Sequence, residues 1–279
     1  MFEYFIKSFK RKIARRFTKK YPFRIDTFDL EIFGKVRVAN WENPLVQNFT
    51  ISMNNVSFFE KFLKKGDLAI DIGANIGYTT ISMALATGKD GLTIGFDPNP
   101  YVFEVLVENA KLNPDKTNIV TYNYAITDND GDFYYNSSEA SFNNGGISTE
   151  KDNFHGKFAL ETKIKGVNLE SFLESNHADK LNDLKLIKID TEGYDKEIIR
   201  SIATLLAKYK PTVITECFGE NSQEEKFEQY ELLKSLGYTL YYFSDFVANA
   251  EIVRIDKKED MLKWKIGRAS CRERVLWYV

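Results

Sequence analysis

Asp71-Ile72-Gly73-Ala74-Asn75-Ile76-Gly77 follows directly on the apolar run Leu68-Ala69-Ile70 and leads into Tyr78–Ala86, which reads as a helix. A strand closed by a carboxylate, a glycine turn and then a helix is a unit that holds nucleotide-like ligands. Gly73 and Gly77 remove side chains where a turn needs unusual dihedrals and where a ligand or a helix comes close. The turn is expected to deliver backbone N–H groups and the positive end of the helix to whatever sits above the strand tip. The dinucleotide fingerprint has glycine two positions after the first, so that backbone can approach a pyrophosphate. Asn75 stands there instead. The turn therefore suits an uncharged adenosine with an amino-acid tail, which describes S-adenosylmethionine (SAM), better than it suits a pyrophosphate.

A second carboxylate supports this reading. Leu92-Thr93-Ile94-Gly95-Phe96 reads as the next strand and Asp97 closes it. An acidic residue about 20 positions beyond the first glycine is placed to accept both hydrogen bonds of a ribose diol. The plainer alternative is that Asp97, with Pro98, caps the following helix.

Working outward, 279 residues fit one large domain with extensions, and 43% hydrophobic content is enough for a full core. A net charge of −2 gives no reason to expect nucleic acid as a partner. The charge is unevenly spread, because residues 1–20 hold eight Lys or Arg and one Glu. Phe2, Phe5, Ile6, Phe9, Ile13 and Phe17 recur there at helical spacing, which predicts a basic amphipathic helix. Such a helix either lies on an anionic membrane surface, with weak peripheral contact, or packs on its own domain or a partner subunit. Cys217 and Cys271 are the only cysteines and form no CxxC or Cys/His spacing, so neither a disulfide framework nor structural zinc is expected. No continuous apolar h-region opens the chain and no run approaches the roughly 18 apolar residues of a membrane span. A cytoplasmic protein, with possible contact at the inner membrane face, is the expectation.

Alternating apolar positions around Phe28–Val38 suggest a hairpin, and Asn54–Lys64 looks helical. From Gly66 the pattern alternates strictly: strands at 68–72, 92–96, 119–123, 184–189, 212–216 and 239–243, and helices at 77–86, 100–111, 196–206 and 224–236. Repeated strand–helix units predict a doubly wound, mostly parallel α/β sheet with its ligand at the carboxyl ends of the strands. Residues 136–160 are polar, rich in Asn, Ser and Gly, and too long for an ordinary connection; a lid or disorder is expected. Residues 266–275, IGRASCRERV, lack an apolar period and resemble the conceptual translation of a short-read sequencing adapter. Residues 266–279 are therefore expected to be a non-native tail, with the true C-terminus missing.

The fourth strand ends Lys188-Ile189-Asp190-Thr191-Glu192-Gly193-Tyr194-Asp195 and the fifth ends Thr215-Glu216-Cys217. In a doubly wound sheet these tips neighbour the first, so Asp71, Asp190, Glu192 and Glu216 are expected to converge on one crevice. Carboxylates suit a site for a sulfonium cofactor. Transfer of a methyl group to a hydroxyl also needs that oxygen's proton removed, and Asp190 or Glu192 is placed to serve as general base. The structural alternative is that Glu192 and Asp195 cap the next helix and that Glu216 holds backbone or a basic side chain. His155, in the polar loop, is a further candidate base, whereas His177 is expected on a solvated connection. The acidic residues show no recognisable metal-ligand spacing, and no metal is expected.

Three motifs in order, Asp-Ile-Gly-Ala-Asn-Ile-Gly at 71–77, Phe-Asp-Pro-Asn-Pro at 96–100 and Lys-Ile-Asp-Thr-Glu-Gly-Tyr-Asp at 188–195, resemble the FkbM family of SAM-dependent methyltransferases. Ala125-Ile126 before Asp128 and Gly131, and Pro211 before the strand ending in Glu216, fit as well. The resemblance covers roughly residues 60–245. It implies the class I, Rossmann-like methyltransferase fold, SAM as cofactor, and O-methylation of a sugar, glycolipid or polyketide-like acceptor. By position it implies that Asp71, Gly73, Asn75, Gly77 and Asp97 line the SAM pocket, with Ala125 near the adenine, and that Asp190 and Glu192 face the acceptor. Where this family commonly has Glu, Asp97 is one methylene shorter. The domain reading is a basic helix at 1–20, an N-terminal extension at 21–65, a methyltransferase domain at 66–256 and the adapter-like tail. Two rivals share the features: a nicotinamide-dependent oxidoreductase, disfavoured by Asn75 and by the lack of a Tyr-x-x-x-Lys motif, and a non-catalytic membrane-associated scaffold.

Overall fold

A computed structural model describes residues 2–151, 156–191, 193–216, 222–263 and 274–278. The chain opens with α1 (Phe2–Ala14), followed by the hairpin β1 (Phe23–Leu30) and β2 (Gly34–Trp41) and by α2 (Met53–Phe59). The Rossmann-like alternation then runs β3 (Leu68–Ile72), α3 (Tyr78–Thr87), β4 (Leu92–Phe96), α4 (Pro100–Lys111) and β5 (Ile119–Tyr122). A second small sheet is made from β6 (Ala125–Thr127), β7 (Gly131–Ser137), β8 (Gly146–Ser148), β9 (Phe158–Ala159) and β10 (Ile164–Asn168). After α5 (Leu169–Asn176) the alternation resumes with β11 (Leu184–Ile189), α6 (Asp195–Ser201), α7 (Ala203–Tyr209), β12 (Thr212–Glu216), α8 (Gln223–Ser235), β13 (Thr239–Phe243) and β14 (Ile252–Ile255). Arg274–Tyr278, largely beyond the ten-residue adapter-like match, forms β15; the rest of the tail, Cys271 included, lies outside the described residues.

The main sheet has the order β14-β13-β15-β12-β11-β3-β4-β5. Strands β12, β11, β3, β4 and β5 are parallel, and β15 runs antiparallel between β12 and β13. The chain moves from β3 outward through β4 and β5, then returns to β11 on the other side of β3. The switch point of this α/β sheet therefore lies between β3 and β11, where a crevice opens at the carboxyl ends.

Strand β3 shows why the sheet is central. All five of its residues are buried. Leu68, Ile70 and Ile72 pack into a core that includes Leu173, Ile198 and Leu205 from α5, α6 and α7, while Ala69 faces Ile81 and Leu85 of α3 on the opposite side. A continuous apolar run, rather than apolar–polar alternation, is what a strand covered on both faces requires.

Four features depart from the sequence reading. The helix expected at 196–206 is two helices, because Ile202 leaves helical geometry (φ −106°, ψ 16°) and the Ser201 hydroxyl donates to the Ile198 carbonyl at 2.8 Å. The helix expected through Lys64 ends at Phe59. The described part of the polar stretch 136–160 is packed: Ala140, Ser141 and Phe142 are buried, and β8 and β9 both pair with β7. Widely spaced apolar anchors among Asn and Ser made that stretch read as loop. His177 is half-buried, and its Nε2 lies 2.9 Å from the Tyr122 hydroxyl rather than on a solvated connection.

The N-terminal hairpin is joined to the sheet domain by side-chain amides. Asn109 accepts from the Ala39 N–H at 2.6 Å and donates to its carbonyl at 3.0 Å. Asn113 does the same for Arg37, at 2.9 and 2.8 Å. Two residues one helical turn apart thus pair with alternate residues of β2.

Candidate functional site

The turn after β3 is shaped first by its neighbours. The Asp190 N–H donates to the Ile72 carbonyl at 3.0 Å, which brings the end of β11 against the turn. At Gly73 (φ +73°) a Cβ would stand 1.9 Å from the Asp190 carbonyl oxygen. Gly77 (φ +97°) is the N-cap of α3, and a Cβ there would meet Leu106 at 3.0 Å. These glycines admit a strand end and a helix. The N–H groups of the turn also have acceptors inside the protein. Gly73 and Ala74 both donate to the Phe96 carbonyl at 2.9 Å, Asn75 to the Asp97 carboxylate at 2.7 Å, Ile76 to the Asn75 side chain at 2.8 Å and Gly77 to the Ala74 carbonyl at 2.9 Å. The expected row of donors aimed at a ligand is therefore not formed by residues 73–77, and an anion cradle of the pyrophosphate kind is not built here.

Asp71 lies behind this turn. It is fully buried on the α3 side of the sheet, where one carboxylate oxygen accepts from the hydroxyls of Thr79 and Thr80, both at 2.7 Å. The other accepts from Lys188 Nζ at 3.0 Å, across the register that pairs Lys188 with Asp71. A buried carboxylate needs such compensation, because desolvation of the charge costs several kcal/mol. Lys188 is itself 3% exposed, with its ammonium 3.4 Å from the Gly73 carbonyl and 3.7 Å from the Asp190 carboxylate. Lys188 thus bridges the two strands at the switch point. Sequence reasoning gave it no role, although a lysine in the apolar run Leu184–Ile189 was the available signal.

Asp97 stands at the tip of β4 and is 7% exposed. One oxygen holds the Asn75 N–H and the other the Asn99 N–H at 2.9 Å. Burial pushes its pKa up to about 7, against the opposing pull of those two N–H groups; Asp71 raises it further and Lys188 lowers it. A carboxylate offers about four acceptor positions, so two remain for a ligand. The helix-capping role that competed for Asp97 belongs to Asn99, whose side chain accepts from the Tyr101 N–H at 3.0 Å and precedes Pro100. The Asn99 amide also donates to the Phe142 carbonyl at 2.6 Å, which fastens the polar loop beside Asp97.

Asp190 follows β11 and its side chain is 17% exposed. Asp195, the first residue of α6, turns away. One of its oxygens accepts from the Thr191 N–H and hydroxyl, and the other from the Thr215 hydroxyl and the Glu216 N–H. Burial raises its pKa, and the charge of Asp190 adds to that. It ties the turn after β11 to the tip of β12. Glu216 is buried at that tip. Glu192, His155 and Cys217 lie outside the described residues.

These elements enclose a cavity of about 290 Å³ at the carboxyl ends of β3, β4 and β11. Gly73, Asn75, Asp97, Ala125 and Asp190 line it, as does Lys188, whereas Asp71, Gly77 and Glu216 do not. Its walls combine apolar groups such as Val102 and Ile126 with these polar ones, as in ligand sites generally. Two segments form further wall, the loop carrying Val46, Gln47 and Phe49 and the stretch Asn144–Ile147 that runs into β8. Tyr78 and Phe246, also in the lining, are held by Asn55, whose amide donates to the Tyr78 hydroxyl at 2.7 Å and the Phe246 carbonyl at 3.0 Å.

Comparison with known proteins gives this geometry a context. The methyltransferase FkbM domain matches residues 71–240. The hexuronic acid methyltransferase AglP of Haloferax volcanii is 26% identical over 143 residues, 51% of this chain and 53% of its own length. The chain thus aligns with about half of that relative. Among solved structures, the methyltransferase FkbM of Methylobacillus flagellatus superposes with a TM-score of 0.47 at 12% identity, over 80% of this chain and 50% of its own. A SAM-dependent O-methyltransferase of Thermotoga maritima gives 0.39 at 12% identity, over 84% and 68%. The matched segment begins at Asp71, takes in the tips of β3, β4 and β11, and extends to β13: this chain belongs to the FkbM methyltransferase family.

Proposed function

We propose that the chain transfers a methyl group from SAM to a hydroxyl of a sugar-type acceptor. The observation that carries this reading is Asp97: a buried carboxylate at a strand tip, oriented by two backbone N–H groups and bordering the cavity with acceptor positions left over. That arrangement fits a ribose diol, and the internally bonded turn at 73–77 fits a nucleoside without a pyrophosphate. Gly73 and Asn75 form the floor beside it, and Ala125 and Ile126 offer an apolar surface for an adenine ring. When bound, SAM supplies a methyl group activated by a sulfonium charge.

The chain's own residues supply position and proton transfer. Asp190 also borders the cavity, and the Lys188 ammonium lies 3.7 Å from its carboxylate. Asp190 accepts the acceptor hydroxyl's proton at a carboxylate oxygen, with Glu192 a second candidate on the same turn. The wall residues Val46, Phe49 and Ile147 exclude water from the reacting groups. The name of the Haloferax relative supports a sugar acid as acceptor class.

Incubation with methyl-labelled SAM and a panel of uronic and neutral sugars tests this. Asp190→Asn is expected to keep SAM affinity and lower transfer by about 10²–10⁴-fold, the effect of losing a general base. A product stable to alkali is an ether at a hydroxyl. An alkali-labile ester, or parental rates in both Asp190→Asn and Glu192→Gln, would remove the proposed base.

A further inference from the structure

Helix α1 presents apolar side chains to solvent. Tyr4, Phe5 and Phe9 are 73%, 62% and 65% exposed, and the end of the helix packs through the buried Ala14 and the half-buried Ile13. Phe5, Ile6, Phe9 and Ile13 fall on one stripe at three- and four-residue spacing. Lys10 and Lys12 flank the stripe, Lys7 and Arg11 lie further round the helix, and residues 1–20 hold a single acidic residue. A lipid surface with anionic headgroups complements the stripe and the cations together.

We propose that α1 docks the chain on an anionic lipid surface, with the Phe5–Phe9 stripe at the headgroup boundary and the cavity mouth turned toward the lipid. The orientation follows from where the helix ends. Arg11 donates to the Pro44 carbonyl at 3.2 Å, the Ala140 N–H donates to the Arg15 carbonyl at 3.3 Å, and the Arg15 guanidinium lies 3.8 Å from Glu139. Pro44 and Glu139–Ala140 precede, by a few residues each, the two segments that wall the cavity at Val46–Phe49 and Asn144–Ile147. The acceptor hydroxyl is then carried by a molecule anchored in that surface, a point that rests on the methyl-transfer reading.

Sedimentation of the full chain with vesicles tests the docking. Vesicles of phosphatidylcholine with one third phosphatidylglycerol are expected to retain about tenfold more protein than phosphatidylcholine alone at low salt, and high salt is expected to release it. Phe5→Ser with Phe9→Ser is expected to lower retention about tenfold while leaving the unfolding midpoint and SAM affinity unchanged, because both side chains are exposed. With Cys217 and Cys271 replaced by serine, an environment-sensitive fluorophore at Asn48→Cys, in the loop near Gln47, is expected to brighten on vesicles. The same probe at Lys89→Cys, before β4 at the opposite end of the sheet, is expected not to. Absent or equal retention on the two vesicle types, or full retention by the double variant, overturns the docking; brightening at Lys89 alone overturns the orientation. A dimer that the double variant converts to monomer assigns the face to a second copy and also overturns it. Retained protein that binds no SAM refutes the methyl-transfer reading and leaves the docking standing.

Discussion

On the proposed reading, SAM affinity is expected to depend on pH through Asp97, by an amount that its pKa fixes. In the ligand-free protein burial raises its pKa to about 7. Hydroxyls of a ribose donate to the ionised form, so binding must be accompanied by loss of the proton. The apparent Kd is then the intrinsic value multiplied by one plus the ratio of protonated to ionised Asp97. That factor is about 11 at pH 6 and about 1.1 at pH 8, a roughly tenfold tightening across two pH units. Titration calorimetry of the parental chain and of Asp97→Asn at half-unit intervals separates this from the ligand's own ionisation, which both proteins share. The variant is expected to bind more weakly, by roughly 1.5–3 kcal/mol at pH 8, and without the tenfold change. The same shift acts on stability with a definite sign. A folded pKa above the unfolded 3.8 means that the folded state holds the proton more tightly. Asp97's contribution is therefore full below about pH 4 and is lost as pH rises through 7, by about 4 kcal/mol relative to the variant. A parental affinity that is flat from pH 6 to 8, or a variant that keeps the parental slope, would refute the ribose role and the proton linkage together.

Two further outcomes concern the floor of the site. Gly73→Ala is expected to lose about 3 kcal/mol or more in urea unfolding, because positive φ strains alanine and the added carbon meets backbone at 1.9 Å; a loss below about 1 kcal/mol would show that β3 and β11 separate easily. Lys188→Met is expected to cost about 3–5 kcal/mol by leaving Asp71 charged and buried between Thr79 and Thr80, and a midpoint within error of the parental one would show that the pair is dispensable.

The parallel sheet was legible because its strands are short apolar runs closed by carboxylates, and Leu68–Ile72, Leu92–Phe96, Leu184–Ile189 and Thr212–Glu216 lie where the pattern put them. The small second sheet was not, because β6, β8 and β9 are two or three residues long and leave no periodicity to read. At the site, the sequence identifies carboxylates but not where they point. Asp71 and Asp97 close adjacent strands with the same motif logic, yet Asp71 is directed at two threonines and a lysine beneath the sheet tip, and Asp97 at the cavity wall. Glycine was ambiguous for the same reason. At Gly73 and Gly77 the missing side chain makes room for protein, and only the neighbours that fill the space, Asp190 and Leu106, reveal it. Lys188 went unassigned because a lysine in an apolar run is meaningful only through a partner more than a hundred residues away.

The amides of Asn109 and Asn113 have a consequence for β2 as an edge. A two-stranded hairpin leaves an outer row of N–H and C=O groups that would accept a strand from another molecule. Here helix α4 and the residues just after it fill part of that row with side chains, through Ala39 and Arg37 in alternation, so the edge is closed by amides that imitate a third strand. The hairpin is protected from lateral strand addition without a strand beside it, and that protection lasts only while the hairpin stays docked. Local opening at this seam is the step at which strand addition, and through it self-association, would begin.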